Sequence, residues 1–340
     1  MGFVRVIPKV VFRSMAIGLS VRLSRFRTWP PREGILLDSP LAMAEQRMSR
    51  LRRIYSNAQR DAWDAPAVFR AAMEKHGGIQ LDEEKRVALA YPISMLMWGE
   101  LAAWIVSAEL AERLEDPDAR MAASAQVFDE ARHFYVLRDY LAALHVPVPE
   151  LDPYFATGIR KLLLSKDLTL KLFAMQILAE GTAQAIFRFL ADSEVEPVLG
   201  EILPLIERDE ARHVGLGIMH LPQRLDQLSE RKRRKLASQV SGIGDLFGAT
   251  QIRYLPHYQM VGADPRELIR RADKMLHELA QKLGTVPGTD EPYFRTEDTT
   301  SPGYERKLDF VLPKEGAEPS FAARMLKGVI DRGSWLLFAS

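Results

Sequence analysis

Two five-residue strings in this chain are identical: Asp129-Glu130-Ala131-Arg132-His133 recurs as Asp209-Glu210-Ala211-Arg212-His213. In each, Glu and His stand at i and i+3. On a helix these positions leave the cylinder in nearly the same direction, so both side chains can grip one metal ion. Each string is preceded, at the same distance of thirty residues, by a further glutamate, Glu100 or Glu180. One half therefore maps onto the other with an offset of 80 residues, an internal repeat of helix pairs. A lone Glu-x-x-His is more often a solvated pair on a helix surface. The duplication, with its matched upstream glutamates, makes a dinuclear metal site the better reading.

Such ligands need long helices to position them. Thirty residues is enough for half a helix, a short turn at Asp116-Pro117 and half an antiparallel partner, which brings Glu100 level with Glu130 and His133. The same reasoning brings Glu180 level with Glu210 and His213. Two such hairpins face to face place four glutamates and two histidines inside a bundle, the ligand set of di-iron and di-manganese carboxylate proteins. The neighbours are apolar: Trp98, Ile105 and Val106 flank Glu100, and Phe173, Ile177 and Phe187 flank Glu180. Acids in such surroundings are costly to bury without a cation.

The rest of the chain is also helical in pattern, and the expected fold is all-α. Apolar periodicity predicts helices over 40–62, 65–75, 82–114, 117–144, 166–192, 195–221, 230–254, 264–283 and 320–338, with breaks at Val146-Pro147-Val148-Pro149 and Leu221-Pro222. The Pro-, Gly- and Thr-rich stretch 284–318 reads as a loop or extended arm. These segments divide into an N-terminal extension (1–80), the metal bundle (81–225) and C-terminal helices with the arm (226–340). The extension is basic and amphipathic: Arg5, Lys9, Arg13, Arg22, Arg25, Arg27 and Arg32 precede the first acid, Glu33. That pattern fits a helix packed on the fold, or a peripheral contact with an anionic membrane surface; it lacks a convincing signal-peptide cleavage site.

Composition narrows the chemistry. The 340 residues are 47% apolar and 27% charged, as expected of globular domains with a sizeable core. With no cysteine, disulfides, iron–sulfur clusters and thiolate zinc sites are excluded. A net charge of +1 lacks the basic excess of a nucleic-acid binder. No run approaches the length of an uninterrupted membrane span, so a cytoplasmic protein, membrane-associated at most through its N-terminus, is expected.

At the doubled motif the sequence resembles the ferritin-like superfamily of dinuclear carboxylate proteins, with a four-helix bundle core. The doubled Asp-Glu-x-Arg-His looks most like soluble bacterial multicomponent monooxygenases, ribonucleotide reductase small subunits and acyl-carrier-protein desaturases. The resemblance covers 82–221. It implies that Glu100, Glu130 and His133 bind one iron and Glu180, Glu210 and His213 the other, with Glu130 and Glu210 bridging. Asp129 and Asp209 would each accept the free N–H of the histidine on the opposite hairpin, and Arg132 and Arg212 would neutralise those aspartates. The cofactor implied is two irons, or manganese with iron.

Departures from those relatives matter. Leu137 stands where a radical tyrosine is usual, Gln184 where hydroxylases carry a threonine, with Thr182 two positions away, and rubrerythrin-type cysteines are absent. The expected function is a di-iron oxygenase or oxidase that uses O2 to hydroxylate, desaturate or N-oxygenate a hydrophobic small molecule. Candidate pocket residues are Leu96, Trp104, Leu137, Phe173, Phe187 and Val214, each of which could equally be core. Electrons would come from a separate donor protein, for which Arg231-Lys232-Arg233-Arg234-Lys235 is a candidate dock. Glu207 is a candidate extra ligand or acid near the site and His220 a candidate lining residue. A homodimer is the default for such bundles. The alternatives are a metal-handling or peroxide-scavenging protein without an organic substrate, and a non-catalytic bundle.

Overall fold

Asp116-Pro117, Asp152-Pro153, Glu196-Pro197 and Asp264-Pro265 each open a helix in the same way. The acid accepts hydrogen bonds from first-turn backbone N–H groups, and the proline occupies a position whose N–H would be unsatisfied anyway. The computed structural model of the chain describes residues 50–314 and 318–338. Among them the elements are α1 (Arg50–Arg60), α2 (Ala65–His76), α3 (Glu83–Arg113), α4 (Pro117–Ala143), α5 (Pro153–Leu164), α6 (Leu168–Leu172), a π-helical segment (Phe173–Ala179), α7 (Glu180–Asp192), α8 (Pro197–Asp226), α9 (Glu230–Met260), α10 (Pro265–Leu283), α11 (Tyr304–Val311) and α12 (Phe321–Phe338). The basic segment 1–49, with the predicted helix start at 40, lies outside the described residues.

The bundle consists of two hairpins. Helices α3 and α4 pack along their length, α7 packs on α8, and α4 meets α8 across the centre. Helices α1 and α2 lie over α4 and α8, α9 over α3 and α5, and α10 over α7. The described residues cluster as one unit. Among the described residues only α3 is long and apolar enough to cross a membrane, and two thirds of its apolar window is buried within the fold.

The third bundle helix is irregular just where it delivers Glu180. Over Phe173–Ala179 the coil widens to π geometry, and Glu180 is the first residue after it. Such wide turns are recurrent at functional sites. Helix α8 can lie against this segment because residue 217 is glycine; a Cβ there would come within 2.6 Å of Gln176 Cβ.

The structure departs from the predicted elements in several places, three of which bear on the packing around the bundle. Pro222 does not end its helix, which continues to Asp226 because Leu221 and Leu225 are buried and hold the last turn despite the lost hydrogen bond. Within 284–318 a short helix, α11, forms where Tyr304 Oη donates to Asp273 at 2.8 Å and Arg266 donates to Asp309 at 2.7 Å. Helix α5 was not predicted, although Asp152-Pro153 carries its start signal.

Candidate metal centre

Each of the four bundle helices sends candidate ligands to one level. Glu100 comes from mid-α3, Glu130 and His133 from α4, Glu180 from the start of α7, and Glu210 and His213 from α8; all six are buried. They form two overlapping groups, Glu100, Glu130, His133 and Glu210, and Glu130, Glu180, Glu210 and His213. Within each, one candidate ligand atom per residue lies within 4.8 Å of the others.

The overlap has a geometric basis. His133 Nδ1 lies 3.0 Å from Glu210 Oε1, 3.4 Å from Glu100 Oε2 and 3.6 Å from Glu130 Oε2. His213 Nδ1 lies 2.8 Å from Glu210 Oε2 and 3.1 Å from Glu130 Oε1. Glu130 and Glu210 thus turn one oxygen toward each histidine, the arrangement of two carboxylates that span a pair of positions, whereas Glu100 and Glu180 each belong to one.

Both histidines present Nδ1 to the centre because Nε2 is engaged outside it. His133 Nε2 is 3.3 Å from Asp209 Oδ2, and His213 Nε2 is 3.3 Å from Asp129 Oδ2. The two aspartates are in turn laced together by arginines. Arg132 donates to Asp129 at 2.5 Å and to Asp209 at 2.6 Å, and Arg212 to Asp129 at 2.9 Å and to Asp209 at 2.7 Å. Two aspartates and two arginines cancel, so the outer ring is neutral by itself.

The inner shell carries up to four negative charges, and its acids and imidazoles share protons to offset them. Burial, with Glu210 and Glu130 alongside, holds the Glu100 carboxyl well above the usual carboxylate range; burial, with Glu130 and Glu210, does the same to Glu180. Burial opposes ionisation of Glu130 and Glu210 as well, but the histidines outweigh it and both sit below the usual range. Burial favours neutral imidazoles, yet the surrounding carboxylates raise His133 and His213 well above the ordinary histidine value. Protonated Glu100 and Glu180 with two imidazolium rings leave the cluster neutral, and two divalent cations would balance four carboxylates just as well. Glu130 Oε2, Glu210 Oε1 and His133 Nδ1 are buried without a hydrogen-bond partner and turned toward the centre. Orphaned donor atoms of this kind fit a metal pair.

Sequence reasoning missed three buried or half-buried partners. Trp63 Nε1 donates to Asp209 Oδ2 at 2.8 Å, and its ring stacks toward His133 with centroids 6.4 Å apart. Gln126 Nε2 donates to both Glu130 and Glu180, and Gln176 donates to Gln126. Gln126 stands four residues before Glu130, one turn away on the same helix face, which is a legible signal; nothing in the sequence marks Trp63.

A narrow cavity of about 60 Å³ opens beside the cluster, with Glu100 and Glu180 in its wall. The rest of its lining is predominantly apolar and comes from α3, α5, the π segment, α7 and α9, including Met95, Leu96, Phe155, Ile186 and Phe247. Of the predicted pocket residues only Leu96 lines it. Leu137, Phe173, Phe187 and Val214 are core, and Trp104 packs on Phe134 and Tyr135. The cavity faces α5 and α9, which the pattern of the bundle helices cannot place. Thr182 is in the cavity wall, whereas Gln184 instead donates to Glu207 at 3.3 Å. Glu207 thus pairs with Gln184 and lies outside both ligand groups. His220 is buried near Asp116 and Arg224 toward the turn end of the first hairpin, and does not line the site. Arg231, Lys232, Arg234 and Lys235 are exposed at the start of α9, with Arg234 paired to Glu230.

No family model and no curated sequence matches the chain. Solved structures do. A variant of an R2-like ligand-binding oxidase with an aerobically reconstituted Mn/Fe cofactor aligns at 15% identity over 69% of this chain and 94% of that one, with a TM-score of 0.54. Another variant, with an Fe/Fe cofactor, aligns at 16% identity over 69% and 93%, with the same TM-score of 0.54. A protein with aldehyde deformylating oxidase activity from Synechococcus aligns at 19% identity over 60% and 94%, with a TM-score of 0.50. At these identities the likeness shows the fold: the chain is an all-α bundle of the ferritin-like type.

Proposed function

We propose that this chain is a non-haem dinuclear-metal oxidase or oxygenase that uses O2 to oxidise an apolar small molecule held beside Glu100 and Glu180. The observation that carries the proposal is that two of the six clustered residues stand in the wall of a predominantly apolar cavity, so a molecule within it would lie against the metal pair. Glu100, Glu130 and His133 would hold one ion and Glu180, Glu210 and His213 the other, with Glu130 and Glu210 shared. The donors, hard carboxylates with borderline imidazoles, suit two irons or manganese with iron. Such a pair supplies two electrons to O2 together, which gives the site the power to oxidise an unactivated C–H bond or an amine.

The protein's own residues set the conditions. Asp209 and Asp129 hold the imidazoles by Nε2 so that Nδ1 is left to bind the ions, and would make the rings more basic ligands. Met95, Leu96, Phe155 and Ile186 keep water from the substrate side. The cavity's small volume favours a slender chain over a bulky ring system. Thr182 offers a hydroxyl in the wall that can pass a proton or hold a polar substrate group. Electrons come from a separate donor, for which the cationic start of α9 is a docking face for an acidic carrier. The cofactors and oxidase descriptions of the structural neighbours support this reading.

The test is anaerobic iron loading of the full chain followed by exposure to O2, with metal analysis and mass spectrometry of extracted small molecules. Two metal ions per chain, O2 uptake and an oxidised apolar product are expected. Peroxide turnover without an organic acceptor would favour the metal-handling alternative, and absence of bound metal would overturn both.

A further inference from the structure

We infer that Gln126, anchored by Gln176, is a positioning residue that makes the two metal positions inequivalent: it fixes the carboxylates of the Glu180–His213 position and leaves those of the Glu100–His133 position free to adjust. The inference rests on the reading of the six-residue cluster as a dinuclear centre.

Gln126 is buried on α4 and donates through Nε2 to Glu130 Oε1 and to Glu180 Oε1, both at 2.8 Å. Its own Oε1 accepts from Gln176 Nε2 at 2.9 Å. The direction of this relay follows from chemistry. With metal bound both glutamates would be ionised and could only accept, which keeps the amide NH2 turned toward them and its carbonyl back to Gln176. Both N–H bonds are then committed, one to each glutamate.

The two gripped oxygens belong to the same side of the centre. Glu130 Oε1 is the oxygen that faces His213, at 3.1 Å, while Oε2 of the same carboxylate faces His133. A carboxylate oxygen has lone pairs enough to accept an N–H and still bind an ion, but its direction is then set. Glu180, pinned through Oε1, is directed to the ion in one pose.

Among the described residues no side-chain amide bonds to Glu100 in this way. Under the 80-residue offset that relates the two halves, Gln126 corresponds to Ile206 and Gln176 to Leu96, both apolar and buried. The polar neighbours of Glu100 include His133, Glu130 and Glu210, themselves members of the cluster. The repeat thus preserves the six ligands and breaks in the groups that orient them. Gln176 reaches Gln126 from the π segment, which lies close on α8 at Gly217. The consequence is one preorganised, tightly held ion at Glu180–His213 and one more exchangeable ion at Glu100–His133.

The experiment is anaerobic titration of the metal-free full chain with Co²⁺, followed by visible absorption and equilibrium dialysis. The wild-type chain is expected to show two resolvable steps, with Glu180→Ala removing the tighter one. Loss of hydrogen bonds to metal-binding carboxylates costs about 10- to 100-fold in affinity, and Gln126→Leu should lose that much at the tighter step while moving the other by less than about twofold. Gln176→Leu, which removes only the anchor, should give a smaller loss at the same step, and decides the matter if Gln126→Leu fails to fold. Two indistinguishable wild-type steps, no effect of either variant, or equal weakening of both steps would overturn the inference while leaving the dinuclear reading standing. A wild-type chain that binds no Co²⁺ overturns both.

Discussion

Asp209 Oδ2 sits 3.3 Å from Nε2 of His133, a residue 76 positions earlier on the opposite hairpin. Asp129 and His213 repeat the relationship in the reverse sense. Each hairpin therefore orients the other's histidine, and the centre can form only when both are docked. Asp209 also accepts from Trp63 and Arg132, so its carboxylate ties α1–α2 and both halves of the bundle to one atom group.

Replacing Asp209 by Asn should release the ring of His133 and leave Arg132 with one carboxylate instead of two. Metal affinity is expected to fall by about 10- to 100-fold, as for other partners of ligating histidines. Isothermal titration with Fe²⁺ under anaerobic conditions measures this, and an unchanged affinity would show that the ring is held by packing alone.

Glu130→Ala and His213→Ala should abolish dinuclear occupancy while leaving helicity largely intact. They should also separate the two effects of the cluster on stability. In the metal-free state, removing Glu130 relieves repulsion on Glu100 and Glu180; in the presence of metal, the rise in melting temperature given by the wild type should vanish. Metal analysis with differential scanning fluorimetry reads both. Wild-type iron stoichiometry in both variants would refute the ligand assignment.

The pH dependence follows from the direction of the shifts. Glu100, Glu180, His133 and His213 all have folded-state values raised above their ordinary 4.5 and 6.5. A raised value contributes stability that is present below the ordinary value and is lost as pH climbs through the folded one. The metal-free chain should therefore lose stability as pH rises from about 4.5 upward, in the range set by these groups. Metal displaces the same protons, so loading near neutral pH should release several of them, up to about four per dinuclear centre, and should flatten the slope. Melting curves with and without metal across pH 5–9, paired with proton release in weak buffer, check it.

Ala183→Phe should fill the cavity while leaving all six candidate ligands in the chain. Overpacking costs about 1–3 kcal/mol of stability, so the fold should survive. Two metal ions should still bind, while substrate-dependent O2 consumption falls by at least about tenfold, the effect of losing about 1.4 kcal/mol of transition-state binding. Equal activity would place the substrate elsewhere.

Gly217→Ala puts a methyl 2.6 Å from Gln176 Cβ and 2.9 Å from Ile177 Cδ1. The π segment must shift, which should destabilise the chain by about 1–3 kcal/mol as seen by denaturant unfolding. An unchanged midpoint would show that the segment moves freely.

Much of this molecule was legible from residue order alone. The duplicated pentapeptide, its matched upstream glutamates and the acid-proline caps identify the bundle helices and the six clustered residues, because helical spacing is a local property that the chain carries in itself. The crossed Asp–His pairs could be anticipated only by likeness to other bundles, since they join residues on different hairpins. Tertiary packing alone decided the rest. It brought Trp63 onto Asp209, laid α5 and α9 over one side of the centre so that a cavity opens there and not at Leu137 or Phe187, and closed α8 on the π segment at Gly217. Those contacts depend on where separately encoded helices come to rest against one another, and that position is set by the sum of many buried surfaces, which no single stretch of sequence contains.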